Sequence, residues 1–154
     1  MKDKNLKLKI KMIPYNCQDN LRTILSQKKW DIIRKATYRR ARGKCEICGT
    51  TKRILHAHED WKWDKSTGYQ ILKNVKCVCD LCHSVIHYKF TESSGKGKEA
   101  RKHFMKINNC SAEVFKEHLR KAEYKCELRG NRNWGLDVSL VINKKGKVKL
   151  RWQM

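Results

Sequence analysis

Apolar positions recur along the 154-residue chain at two spacings, and the change of spacing marks the elements. Over residues 1–11, Leu6, Leu8 and Ile10 alternate with Lys. A period of two there predicts either a strand or a basic arm that orders only on a partner. Asp19 or Asn20 is placed to cap a short helix with Leu21, Ile24 and Leu25 inward. A helical period then predicts a second helix over 28–41, with Trp30, Ile33, Ala36 and Thr37 on one face and Gly43 ending it. Thr91 to Gly97 reads as a flexible loop. A helix is expected over 98–107 on Ala100, Phe104 and Ile107, then a turn at Asn108-Asn109. Ser111 is a good N-cap for a helix to Lys125, with Phe115, Leu119 and Ala122 inward. The tail alternates over 134–142 and 147–152, with the hairpin-turn residues Asn143-Lys144-Lys145-Gly146 between.

Length bounds this pattern to one domain's worth of chain, and 40% apolar residues against 34% charged leave a thin core. Lys and Arg number 37 against 15 Asp and Glu, a formal net of +22. The excess is uneven. Residues 1–44 carry 14 basic and 3 acidic side chains, residues 45–90 carry 7 and 5, and residues 91–154 carry 16 and 7. A basic N-terminal part and a basic C-terminal part therefore bracket a nearly neutral middle. That balance points to a polyanion, with nucleic acid first. Arg34, Lys35, Arg39, Arg40 and Arg42 occupy the polar side of the 28–41 helix and are the candidate DNA contacts. A solubilising surface is the blander reading, but so large a charge repels itself. No run of 18 apolar residues exists, so a membrane span is not expected. The opening Met1 to Lys7 is charged without an apolar stretch, so no secretory signal is expected, and the reading is a cytoplasmic protein.

A reducing compartment turns the eight cysteines toward metal rather than disulfides. Cys45-Glu46-Ile47-Cys48 and Cys79-Asp80-Leu81-Cys82 form two Cys-x-x-Cys knuckles thirty residues apart. Two such pairs match a four-thiolate structural zinc site, which substitutes for core that a small protein lacks. Cys77 has the wrong spacing to Cys82 for a knuckle, and Cys17, Cys110 and Cys126 read as small buried hydrophobes.

Four of the six histidines lie in the same middle region. His83 and His87, four apart, share one face of a helix and can share one metal ion. His56 and His58, two apart, share one face of a strand. Cys82 and His83 are adjacent, so the zinc knuckle would fix where the His-bearing helix starts. His103 and His118 lie on amphipathic helices and read as surface or packing residues. Trp61 and Trp63, with Asp64, read as braces for the loop between two strands, with base stacking as the alternative.

The knuckles, the His58-Glu59 pair at a strand end, Asn74 nine residues before His83, and Cys82-His83-x-x-x-His87 resemble the HNH, or ββα-metal, endonuclease family. The Asn-x8-His-x3-His spacing is similar to that of colicin-type nucleases, which lack the knuckles. Trp30-Asp31-x-x-Arg34, the run His58-Glu59-x-Trp61-x-x-Asp64 and Phe104-Met105-Lys106-x-Asn108 look like a phage and bacterial HNH subgroup. The resemblance implies an α+β fold: a small ββα-metal core over 45–90 with a four-cysteine zinc site, flanked by basic helices and a C-terminal β-hairpin. It implies a phosphodiester hydrolase acting on DNA, double-stranded by preference, in a bacterial cell and phage-encoded in some settings. One divalent ion, Mg²⁺ or another, would be held by His58, His83 and His87, with His56 as a further ligand. An activated water would attack the phosphodiester, and the metal would stabilise the leaving oxygen. Asn74 would hold the hairpin loop and orient the base or touch the metal.

The base itself stays open between two residues. Ungapped counting from Asn74 puts His58 at the ligand position and Glu59 at the base position, where the family has Asp-His or His-His. The other reading makes His58 the base and gives His56 to the metal. A His titrates near 6.5 and a Glu near 4.3, so Glu59 needs burial to serve near neutral pH. The reading favoured is His58 and Glu59 as a pair. Two non-enzyme alternatives remain: a zinc-ribbon nucleic-acid-binding module without catalysis, and an RNA- or ribonucleoprotein-associated structural protein.

Overall fold

The structure, a computed structural model, describes residues 3–150. After a 3-10 turn at Asp3–Asn5, the chain runs in an extended path to α1 (Leu21–Ile24) and α2 (Gln27–Arg40). The hairpin β1 (Leu55–Asp64) and β2 (Tyr69–Cys79) follows, then α3 (Asp80–Ile86), α4 (Tyr88–Ser93), α5 (Gly97–Asn108), α6 (Ala112–Gly130) and β3 (Gly135–Asp137). The class is α+β with a three-stranded sheet ordered β1-β2-β3.

Local chemistry sets the boundaries. Asn20 caps α1 through a reciprocal box with Thr23. Ser26 caps α2, and the predicted stripe Trp30, Ile33, Ala36 and Thr37 is buried. Arg42 and Gly43 both adopt positive φ, 54° and 70°, and turn the chain out of α2. In the hairpin, Asp64 accepts the Ser66 backbone N–H at 3.0 Å and closes the turn. Asp60 pairs with Asn74 but Trp61 pairs with Leu72, so Lys73 is the extra residue of a bulge. β3 runs parallel to β2 along Tyr69–Ile71. Gly135 is required there, because a Cβ would stand 2.5 Å from the Tyr69 ring.

The two faces of the hairpin serve different cores. Val78 joins Leu8, Val85, Ala100, Phe104 and Phe115 between the N-terminal segment, α3, α5 and α6. Leu72 and Val75 join Leu21, Trp30, Ile33 and Val141 under α1 and α2. Tyr88, Phe104 and Phe115 meet edge to face at 5.1 and 5.2 Å between centroids.

Several expectations need correction. The described part of the 1–11 run is neither strand nor partner-dependent arm. Leu6, Leu8 and Ile10 are buried in the chain's own core, and the backbone bonds to side chains of α5 and α6. Ile24 faces solvent, because α1 is a single turn and only Leu21 reaches the core. The expected loop at 91–97 begins as the end of α4, where Thr91 Oγ donates to the carbonyls of Ser84 and His87. The last helix runs five residues beyond Lys125. The C-terminal hairpin shrinks to a turn at 143–146 with one antiparallel bridge, Ile142 to Val148. The chain folds back at Val138 to Val141 instead of continuing as a strand. Met1, Lys2, Arg151 and Trp152, at the ends of the two alternating runs, lie outside the described residues.

Candidate metal centres

The first knuckle is a tight loop after α2. Gly49 N–H donates to the Cys45 carbonyl at 2.9 Å and the Cys48 N–H points at Cys45 Sγ at 3.5 Å. The second knuckle repeats this geometry where β2 becomes α3. Cys79 is the N-cap, and the Cys82 N–H points at its sulfur at 3.4 Å. The four ligand atoms of Cys45, Cys48, Cys79 and Cys82 lie within 4.8 Å of one another, with Cys48 and Cys79 Sγ at 3.7 Å. Tetrahedral zinc with Zn–S near 2.3 Å asks for sulfurs about 3.8 Å apart, so the set could hold a metal such as zinc. With protons instead of metal, Cys45 is held low, to about 4, by its hydrogen bond with Cys82, and Cys82 is pushed up by the same bond and by burial. A dication displaces that shared proton.

Cys77 stays outside the set, as its spacing predicts. Burial pushes its thiol up to about 11. Its backbone N–H donates to Glu46 Oε2 at 2.6 Å, which ties the first knuckle to β2. Arg40 donates to the same Glu46 oxygen at 2.7 Å and to the Val75 carbonyl at 2.9 Å. Arg34 is paired with Asp31 at 2.7 Å. Of the five expected DNA contacts, Lys35, Arg39 and Arg42 stand exposed, whereas Arg40 braces the fold. The sequence reading misses one neighbour: His103 Nε2 lies 3.2 Å from Cys82 Sγ. Its position beside Ala100 and Phe104 on the inward stripe of α5 is the available signal.

Three imidazoles form the second centre. His58 comes from β1, His83 from α3, and His87 is the residue that ends α3, its N–H donating to the His83 carbonyl at 3.1 Å. Their ring centroids lie 4.6 to 5.6 Å apart, and one ligand atom of each falls within 4.8 Å of the others. His58 is 5% exposed, and its Nε2 is buried without a hydrogen-bond partner among the described residues. Three imidazoles with one ring nitrogen of each in mutual reach fit a cation ligand set. Burial holds His58 well below the usual imidazole range, His83 at about 3, and His87 below its ordinary value. All three rings are therefore neutral at pH 7 and carry a free lone pair.

The other expected site residues divide. His56 stacks on His83, centroids 4.7 Å apart and planes 12° apart, and stands outside the group of three. Strand alternation sends Glu59 to the face opposite His58. Its Oε1 accepts the Leu21 N–H at 2.5 Å at the start of α1, and burial pushes the carboxyl up to about 7. It nonetheless borders the same cavity of about 200 Å³ as His56, His58, His83, His87 and Arg22. Asn74 pairs with Asp60 across the hairpin, and its Oδ1 accepts the Val75 N–H at 2.9 Å. It is not among the three grouped ligands. A wider groove of about 650 Å³ adjoins that cavity at His83 and His87, edged by Lys89, Lys96 and an exposed Phe90.

No protein-family model, no curated protein and no solved structure matches this chain. Among the described residues no helix is long and apolar enough to cross a membrane.

Proposed function

We propose that the chain is a metal-dependent DNA endonuclease or nickase of the HNH class. The observation that carries the reading is the meeting of His58, His83 and His87, from a hairpin strand and the helix that follows it, with one ligand atom of each within 4.8 Å of the others. A divalent cation held there would supply Lewis acidity to a phosphodiester oxygen and to the departing 3′ oxygen. An all-imidazole set suits Zn²⁺ or Ni²⁺ better than Mg²⁺, which prefers oxygen ligands and would keep most of its waters.

The chain's own groups do the rest. His58, His83 and His87 bind through neutral rings. Arg22, at the rim of the cavity, contacts the scissile phosphate. Glu59, fixed by the Leu21 N–H, takes the proton of the attacking water. Lys89 and Lys96 in the adjoining groove, together with Lys35, Arg39 and Arg42, neutralise flanking phosphates. The four-cysteine set carries no step and fixes the junction from which His83 projects.

The test is supercoiled plasmid relaxation by purified protein in EDTA, then in Mg²⁺, Mn²⁺ or Ni²⁺, with His83→Ala, Glu59→Gln and His56→Ala alongside. Metal-dependent nicking that falls on the order of 100-fold or more in His83→Ala is expected, since the cation supplies several kcal/mol. Equal nicking by every variant assigns the activity to a contaminant and leaves a zinc-ribbon binding module. Full activity in Glu59→Gln with loss in His56→Ala moves the base to His56.

A further inference from the structure

The groove of about 650 Å³ beside the histidine cavity has a wall that the metal chemistry does not use. It shares His83, His87 and Ile13 with that cavity. Phe90 also lines it, three residues past His87. Of the three phenylalanines in the chain, Phe104 and Phe115 are buried in the first core, whereas Phe90 is 77% exposed. A single exposed apolar side chain is ordinary on a protein surface. Phe90 differs in its place, because it borders the same groove as two of the three grouped imidazoles. Its short helix is firmly seated. Tyr88 and Thr91 are buried, and the Thr91 hydroxyl donates to the Ser84 carbonyl of α3 at 2.7 Å. A fixed backbone therefore presents the ring, and a ligand that covers it has little chain to order.

The rest of the wall sets the chemistry of an occupant. Met12 and Ile13 of the N-terminal segment add apolar surface. Lys11, Lys89 and Lys96 are the cations, and Asp80 is the one acid. Asp80 is matched by Arg53 at 2.9 Å, Lys11 by Asp60, and Lys89 by Glu123 at 3.0 Å. Lys96 is exposed and forms no salt bridge among the described residues, so it carries the unmatched charge. A flat apolar group bearing a negative charge complements this wall, as a nucleobase with its phosphate does. The volume lies in the range of roughly 300–1,000 Å³ that holds ligands of nucleotide size. A base inside a continuous duplex has both faces stacked on its neighbours, so only an unpaired or extruded base can cover Phe90. Trp61 and Trp63, the stacking residues that the sequence offers as an alternative, line a different cavity, and the Arg129 guanidinium already lies 4.2 Å from the Trp63 ring centroid.

We propose that this groove holds an unpaired nucleotide of the DNA, its base stacked on Phe90 and its phosphate against Lys96, so that single-stranded or locally opened DNA is preferred to continuous duplex. The inference rests on the reading of DNA as the partner, and it names the form of DNA that the site takes.

The experiment uses the full chain with its zinc and no added divalent cation. A short oligonucleotide carrying 2-aminopurine is titrated by fluorescence anisotropy, alone and as a duplex with its complement. The single strand should bind several-fold more tightly than the duplex. Phe90→Ala, at an exposed position, should weaken single-strand binding roughly tenfold or more and leave duplex affinity within about twofold. Phe90→Trp should retain the preference, because it keeps an aromatic face. The 2-aminopurine emission should be quenched by wild type and not by Phe90→Ala. Lys96→Gln should lower the log–log salt slope on the single strand by about 0.7. Plasmid nicking with added metal is scored separately. Its absence, with Phe90-dependent single-strand binding intact, removes the nuclease reading and leaves the groove assignment standing. Equal affinities for the two forms, or a loss in Phe90→Ala that is nil or the same for both, overturns the proposal even where nicking persists.

Discussion

A thiolate can only accept hydrogen bonds, so with a metal in place of the thiol proton the 3.2 Å contact between His103 Nε2 and Cys82 Sγ would be an N–H donated to the sulfur. Such a bond spreads the charge of the four-sulfur set and locks one ligand's orientation. His103→Ala should therefore lose zinc to a chromophoric chelator with an affinity lowered on the order of 10-fold to 100-fold. His103→Gln, which retains an N–H donor, should recover part of that loss. Equal zinc affinity in His103→Ala, with unchanged circular dichroism, removes His103 from the site. Sequence alone places this residue among surface and packing histidines. The knuckles themselves are legible because their ligands sit three apart on local turns, and His83 and His87 because four residues make about one helical turn. His103 reaches the sulfur from a different helix 21 residues away, and no spacing rule links it to Cys82. Glu59 shows the opposite limit. Adjacency to His58 suggests a pair, yet neighbours on a strand point to opposite faces, and the carboxylate turns to the α1 N-terminus.

The helices are legible as elements because their buried stripes are long and local. Trp30, Ile33, Ala36 and Thr37 on α2, and Phe115 and Ala122 on α6, are buried as their period requires. The N-terminal segment is not, because what holds it is about a hundred residues away. Asn108 acts there as a substitute for a neighbouring strand. Its Oδ1 accepts the Lys7 and Leu8 N–H groups at 2.8 and 2.9 Å, and its Nδ2 donates to the Leu8 carbonyl at 2.8 Å. His118 Nε2 accepts the Ile10 N–H at 2.9 Å in the same way. Side chains thus satisfy the backbone, and alternation in the sequence produces buried Leu6, Leu8 and Ile10 without a β-ladder. Asn108→Ala orphans three buried or half-buried backbone groups and should cost about 3 kcal/mol by urea unfolding. Leu8→Ala should cost about 2–5 kcal/mol. The double variant should cost less than the two together, because either change releases the same segment. Strict additivity would mean that Asn108 and Leu8 stabilise independent parts. The tail departs from its pattern for a related reason. Its alternation over 134–142 is broken where Val141 turns back into the second core, so only Gly135–Asp137 extends the sheet.

At the scale of the molecule, one hairpin divides two cores, and the four-cysteine set belongs to only one of them. Cys45, Cys79 and Cys82 are buried with Val78, Val85 and Phe104, whereas Leu72, Val75, Trp30 and Ile33 form a separate cluster on the far face. A metal held by that set would therefore bear unequally on the two halves. It would join the loop at 45–48 to the point where β2 becomes α3, and the histidine trio draws two of its three members from α3 and its last residue. Removing it leaves four thiols in an apolar setting, a modest penalty for neutral sulfur, and frees the knuckle loop and the first turn of α3. α2 keeps its buried stripe and its Arg40 tie to Val75. Hydrogen exchange after exhaustive chelation under reducing conditions should then lose protection over residues 45–50 and 79–87 and keep it over α2 and residues 71–75, as local opening rather than global unfolding. On the proposed nuclease reading, the same apo protein, resupplied with Mg²⁺ or Mn²⁺ but no zinc, should show no plasmid nicking, because His83 and His87 no longer stand at a fixed distance from His58. Uniform loss of protection through α2 would mean that the thiolate centre holds the whole fold. Nicking at the full rate would mean that the trio is positioned by the hairpin and the apolar core alone.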